Sequence, residues 1–416
     1  MSLTIISRAA LIFTTLATAA AADVLAVAPS GADFSEVQAA VDAAAAGDLV
    51  LVAAGDYAAV TFPAHSLTVT ADAGAAVELN GLALPSLAPD ATLVLRGLDV
   101  LDAEGVALAV ADLQGTLVVD DCTLVGADAG PGDPRGFSAV TLAGTGAAHF
   151  TACTLEAGRG QNDGGFPGQG GASPGGHALD VGGAPRVALI DCEVLGGKGG
   201  GISVSDCLEG ALGGDAIRNL HGGDLFLGGC HVEGGRGGSG GWDGGLCFGG
   251  SGEDGAAVFL SQGGSSPASR LTLRDTTLKQ TGGFPPLVNL IDLPVITHPA
   301  PMGRLVASAP TREGDLLQLD VSAGAPGDQV LLLIALDPGH VTVLKFQAPL
   351  LLAGVAPPIF DLGVLDGAGA LGASATIPEL GAGLEGLLVH AQLAFVAPGD
   401  VKLGPGAAIA LLDAGF

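Results

Sequence analysis

Six shifted copies of one pattern run through the middle of this chain: TLVLRGLDVL (92–101), TLVVDDCTLVG (116–126), AHFTACTLEAG (148–158), VALIDCEVLGG (187–197), LFLGGCHVEGG (225–235) and LTLRDTTLKQTGG (271–283). Each copy is an apolar-alternating strand, a small or acidic bend, and a second short strand ending near glycine. A further strand recurs between them, as in GVALAV (105–110), SAVTLAG (138–144), HALDVGG (177–183), DAIRNLHG (215–222) and AAVFLSQG (256–263). One such unit cannot bury its apolar face alone, so the repeats must stack as the coils of a solenoid. The tightest unit is about two dozen residues and later ones approach forty.

The extra length is glycine-rich and always enters after the C-x-[LV] strand, at 158–176, 196–215 and 234–255. Insertions at one point of a coil emerge on one face of the stack. The segment GGRGGSGGWDGGLCFGG (234–250) is therefore a loop of a stack and not a linker. Runs of paired glycines suit extended, polyproline-II-like packing.

Cys122, Cys153, Cys192 and Cys230 share one position in four successive repeats, and Thr276 takes it in the fifth. Such a column forms an interior ladder, in which free thiols behave as small hydrophobes. Rungs lie about 4.8 Å apart, so disulfides along the ladder are allowed but not required. No C-x₂-C pair exists, which argues against zinc. Cys207 and Cys247 lie outside the column, in two successive insertions, and a Cys207–Cys247 disulfide would staple those loops.

Residues 1–22 read as a secretory signal peptide: Arg8, an apolar stretch from Ala9 to Ala17, and Ala20-Ala21-Ala22 before Asp23. The apolar run is too short to span a bilayer. An exported, secreted or cell-surface protein follows, in a compartment that permits disulfides. The chain carries 43 acidic residues against 15 Lys and Arg, a net charge of −28. Loss of residues 1–22 removes Arg8 and leaves 43 acids against 14 bases, or −29. Nucleic acid is excluded as a partner, because phosphate binding needs clustered Lys and Arg. Anionic polysaccharides need a bridging divalent cation.

Near the amino terminus, Ser35 and Gln38 make a capping box for a helix with Val37, Ala40, Val41 and Ala44 on one face, stopped at Gly47. Such a helix would close the open end of the stack. The stretch ADFSEVQAAVDAAAAGDLVLVAAGDYA, with the D-C-x-[LV]-x-G rungs, resembles right-handed parallel β-helix proteins of the pectate-lyase-like superfamily. The resemblance spans roughly residues 24–295 and implies that fold over 23–298. It carries little about activity, since the group includes lyases, hydrolases, epimerases and adhesins. VITHPAPMGR (295–304) reads as a proline-containing linker. Beyond it, seven or eight short strands separated by Gly, Pro and Asp predict an all-β sandwich over 303–416. It resembles a carboxy-terminal β-sandwich module of secreted bacterial proteins, which implies attachment or sorting.

The resemblance also sets what a catalytic chain would carry. Polyuronide lyases of this fold use Arg or Lys as base, and the candidates are Lys198, Arg218 and His221, near Asp206, Asp215 and Asp224. The hydrolase motifs NTD, GHG and RIK are missing, as is the epimerase DPHD motif. Asp120 and Asp121 are adjacent on a strand and face opposite ways. Asp121, Asp191 and Asp275 read as a solvated column of turn acids. Trp242 is the only tryptophan and could stack against one sugar. Calcium is the one cofactor the loops suggest, through Asp163, Asp243, Glu253 and Asp254, because it takes oxygen ligands from flexible acidic loops. Three readings follow. The first is a non-catalytic extracellular protein that meets a polysaccharide or another surface protein through its glycine-rich face. The second is a polysaccharide lyase or glycoside hydrolase with a divergent site. The third is a calcium-dependent carbohydrate-binding protein.

Overall fold

At each bend between the first and second strand of a repeat, one residue adopts the left-handed conformation: Gly97, Asp121, Ala152, Asp191, Gly229 and Asp275. Glycine and aspartate enter that region at low cost, which explains the acidic or small bend in every copy. The bend turns the chain from one parallel sheet to the next. The computed structural model describes residues 22–416 except 103, 132, 163–171, 184, 203–207, 244–246, 262–269, 281–284, 291, 309, 355, 356 and 381–383. Over this span the chain is all-β apart from the short helices named below. The signal-peptide reading falls outside the described residues.

Three parallel sheets form the solenoid, with ten, eight and eight strands. Sheet I holds the first strand of each repeat, from Val24–Val27 to Val295–His298. Sheet II holds the second, from Gly55–Tyr57 to Thr277–Lys279, and sheet III the intervening strand, from Val60–Thr61 to Leu287–Asn289. Successive rungs align residue for residue. Leu117, for example, lies beside Leu93 on one side and Ala148 on the other. The interior is one continuous apolar cluster running from Val27 to Leu273.

The cysteine column lies inside this cluster. Cys122, Cys153, Cys192 and Cys230 are buried and free. Each thiol points at a carbonyl of the preceding rung: Cys153 at Val119 (3.4 Å), Cys192 at Phe150 (3.4 Å) and Cys230 at Leu189 (3.3 Å). Thr276 makes the same contact with Leu227 at 2.9 Å. Burial pushes the Cys122 thiol up to about 12, so it stays protonated and unreactive.

The amino-terminal helix is shorter than its sequence pattern, covering Val37–Ala43. Val37, Ala40 and Val41 enter the core, and the helix packs on the first strands of the stack. The capping box does not form. Glu36 holds the N-cap position without a side-chain bond, and Gln38 instead bonds Asp42 and the backbone of Thr61.

The linker reading of 295–304 is also overturned. Val295–His298 is the last strand of sheet I, and Met302 is fully buried. Beyond it, a three-stranded and a five-stranded sheet share one apolar cluster that includes Leu319, Val330, Leu393 and Leu411. The strands read from sequence are present. Arg304–Ala307, Thr311–Arg312, Pro338–Val343 and Ala348–Leu352 are additional, and a 3₁₀ turn at Leu344–Phe346 joins the last two.

This carboxy-terminal unit lies against the outer face of sheet I. Ala188, Ile190 and Phe226 form a second cluster with Met302, Leu351, Ala394 and Leu403. Val94 and Val118 meet Ala408, and Leu49 and Leu51 meet Ala410 and Leu412. Polar groups seal the contact. Arg96 pairs with Asp120 at 3.0 Å and donates to Ala307 C=O, and Asp120 accepts from Ala408 N–H. Arg274, fully buried, donates to the carbonyls of Ala300, Pro301 and Leu403. Sheet I strands are therefore buried on both faces, and so read as nearly continuous apolar runs.

Candidate functional site

The three glycine-rich insertions all connect sheet II to sheet III, so they leave the stack on one side. Each consists of a leg going out and a leg coming back, and the legs interlock through their backbones. Gly176 N–H donates to Gly158 C=O at 2.9 Å, Gly197 to Gly176 at 3.0 Å and Gly214 to Gly197 at 2.8 Å. Gly235 continues to Gly214, and Gly255 to Gly235, both at 2.8 Å. Three residues further along, the same ladder repeats: Gly200 to Ser173, Ala211 to Gly200, Gly238 to Ala211 and Gly252 to Gly238. Between these bonds each leg also donates to the equivalent leg of the next rung, as Gly199 does to Arg236 at 2.8 Å and Gly213 to Glu253 at 2.9 Å.

Two residues in three are bonded to neighbours and the third faces outward. That is the period of a polyproline-II helix, which makes no internal hydrogen bonds and must find partners elsewhere. Glycine is required because the backbones touch. A Cβ on Gly214 would stand 1.7 Å from the carbonyl oxygen of Gly176, and one on Gly238 1.8 Å from that of Gly200. The segment 234–250 is thus built structure.

The outward positions form rows. Arg159, Lys198 and Arg236 occupy the same place on three successive outgoing legs, and all three are exposed. They line a groove of about 280 Å³ with Glu156, Leu195 and Glu233 at the ends of the sheet II strands. Glu233 is engaged by Lys279 at 2.8 Å, which holds its carboxyl below the usual range. Lys198 is therefore one of a row of cations. The matching fragments G-R-G, G-K-G and G-R-G carry that signal once the repeats are aligned.

Arg218 is elsewhere. It lies on sheet III in the strand Ile217–Asn219 and joins a polar cluster at the foot of the returning legs. Its Nη1 sits 2.8 Å from His177 Nε2, and Arg135 Nη1 sits 3.0 Å from the same atom. Asp215 N–H meets His177 Nδ1 at 3.0 Å. Both ring nitrogens thus face donors, while a neutral imidazole offers a single lone pair. Burial first, and then the two guanidiniums, pull His177 down to about 3, so the ring is neutral at ordinary pH. Burial raises Asp180 and Asp215 against the pull of the same arginines. His221 is exposed, and its charge also lowers Asp180. The His177 ring itself fills the place between the two guanidiniums, with Asp180 and Asp215 beside it closer to protonation than ordinary acids. Sequence reasoning missed the grouping of Arg135, His177 and Asp180 with Arg218, since the cluster draws on three separate rungs.

The remaining described candidates lie on other elements. Asp224 pairs with Arg270 at 3.1 Å on sheet I. Trp242–Asp243 pairs antiparallel with Cys247–Phe248 as a two-residue ribbon. Glu253 is exposed, and Asp254 accepts from Gly237 N–H at 2.7 Å. Cys207, Asp206 and Asp163 lie outside the described residues, and with them the disulfide. Among the described residues no three His, Cys, Asp or Glu side chains stand close enough to hold a metal ion. Likewise, no described helix is long and apolar enough to cross a membrane. Asp121 and Asp275 are exposed bend residues, and Asp191 pairs with Arg304 at 2.7 Å.

Fold and site together define an all-β parallel solenoid with an ordered glycine layer on one side and a carboxy-terminal β unit on another. In comparisons with family models, curated proteins and solved structures, the chain finds no match.

Proposed function

We propose that this is an exported, non-catalytic protein of extracellular structure or adhesion, binding through its glycine-rich face to a polysaccharide or another surface protein. One observation carries the reading: the interlocked glycine legs hold Arg159, Lys198 and Arg236 in a single exposed row at rung spacing. A rigid, repeating row loses little entropy on binding, which favours a repeating partner. The separation of Lys198 from Arg218 supports it further, because catalysis by that pair requires one shared groove. In this reading the solenoid is a right-handed β-helix of the pectate-lyase-like kind and the helix Val37–Ala43 closes its end. The last 114 residues, 303–416, are a β-sandwich for attachment or sorting.

A second reading, a polysaccharide lyase or glycoside hydrolase, rests on Arg135, Arg218, Asp180 and Asp215 around His177. Calcium-dependent carbohydrate binding by Trp242 and the loop acids is a third. The test puts the purified protein on a panel of polysaccharides with and without calcium. It reads retention on each polymer, unsaturated products by ultraviolet absorbance, and new reducing ends. Retention without products, lost in Lys198→Glu, is the expected result. Products that vanish in Arg218→Ala would replace it with the catalytic reading, and retention only with calcium would favour the third.

A further inference from the structure

Three histidines lie in the contact between the solenoid and the carboxy-terminal unit, and all three are buried. His149 comes from sheet I, His340 from the strand Pro338–Val343 and His390 from the long strand Gly386–Ala397. His149 Nε2 and His340 Nδ1 meet across the contact at 3.1 Å, with ring centroids 5.2 Å apart. His390 Nε2 is buried with no hydrogen-bond partner. Two small voids of about 20 Å³ flank these rings, one bounded by His149, His390 and Asp120, the other by His340, Asp224, Arg270 and His298.

The charged surroundings do not welcome a proton. Arg186 donates to His340 C=O at 2.9 Å, and its charge bears on both His149 and His340. Arg270 also faces His340. The acids in reach are already engaged, Asp120 by Arg96 and Ala408 N–H, and Asp224 by Arg270.

We propose that mild acidification releases the carboxy-terminal unit from sheet I, with His149, His340 and His390 as the proton-sensitive groups. In the docked state burial holds His340 and His390 down to about 4, and His149 well below its usual value. Once released they return to about 6.5. The released state therefore binds more protons between pH 6.5 and 4, so docking is complete above pH 6.5 and weakens as pH falls through that window. Asp120 works the other way. Its raised carboxyl favours the docked state as pH falls, so it opposes the histidines at the acid end.

The test follows residue-resolved amide exchange of the whole protein from pH 8 to 4.5, corrected for intrinsic rates. The amide of Ala408, which donates to Asp120 across the contact, should lose protection by roughly 50-fold or more for each protonated histidine by pH 4.5, while Leu124 and Leu155 in sheet II stay protected. The variant His149→Gln/His340→Gln/His390→Gln should stay docked across the range. Should that variant fail to fold, imidazole NMR titration of the wild type decides. Two or more of the three rings titrating above pH 6 in the docked protein would overturn the proposal. So would undocking at the same pH in variant and wild type, or a wild type still docked at pH 4.5.

Discussion

The solenoid stacks its rungs in two ways, side by side in one molecule. Inside the three sheets, rungs are joined by backbone ladders and by side chains such as Leu93, Leu117 and Phe150, all fully buried. In the glycine layer there are almost no side chains to bury, and rungs are joined by backbone alone. The interior gains from apolar area removed from water. The layer gains from hydrogen bonds and close dispersion contacts, against the large entropy that glycine loses on ordering. The difference teaches that an insertion that is about half glycine can be as structured as a core, provided its neighbours carry the same three-residue pattern at the same point. The layer also depends on the interior: the legs are aligned only because the sheets hold their ends in register.

The sharpest way to break this comparison is one methyl group. Gly214→Ala should destabilise by about 3 kcal/mol or more, at the top of the range for overpacking, because its Cβ meets the Gly176 carbonyl. That equals the roughly 2–5 kcal/mol expected for emptying the interior with Leu155→Ala. Gly201→Ala is the control. Its Cβ would crowd the movable Ser239 hydroxyl and stand at ordinary contact distance from Asn162 Oδ1 and Ser239 N, and the cost should stay below about 0.5 kcal/mol. Urea unfolding of the three variants reads all of these. Equal small effects at Gly214 and Gly201 would mean that the legs do not interlock.

A smaller effect sharpens the interior side. Cys192→Val drops the thiol contact with Phe150 C=O and adds one carbon, and should cost about 1 kcal/mol. Cys192→Thr should cost less than Cys192→Val, since Thr276 makes the same bond one rung on. Thiol reagents should modify none of the four ladder cysteines in the native protein. The smallest effect lies at the bends. Ala152 holds a left-handed φ of 52°, where its neighbours in the column are Asp and Gly. Ala152→Gly should therefore stabilise by about 0.5–1 kcal/mol, read as a rise in the urea midpoint.

Much of the fold was legible because the repeats report on one another. The cysteine column gave the register, and the common entry point of the insertions gave their face. What stayed hidden depends on contacts between distant segments. Phe226, Ile190 and Ala188 sit at outward positions of sheet I, where a solvated sheet would carry polar residues. That was the one sign that something covers it, and an alternation-based reading passes over it. Val295–His298 reads as linker in the sequence because Pro299 and Pro301 outweigh a four-residue strand. The cation row stays hidden as long as Lys198 is grouped with Arg218 and His221 by proximity in sequence and not aligned with Arg159 and Arg236. The Arg135–His177–Arg218 cluster spans three rungs, and no local spacing announces it.

The central claim is that the glycine insertions are a stacked, hydrogen-bonded layer. Residue-resolved hydrogen exchange across 196–202 and 234–241 tests it most directly. The account predicts a period of three. The amides of Gly197, Gly199, Gly200, Gly235 and Gly238 should be protected, and those of Lys198, Arg236 and Ser239 should exchange freely. Uniformly fast exchange through both segments would contradict it and return the insertions to the status of slack loops.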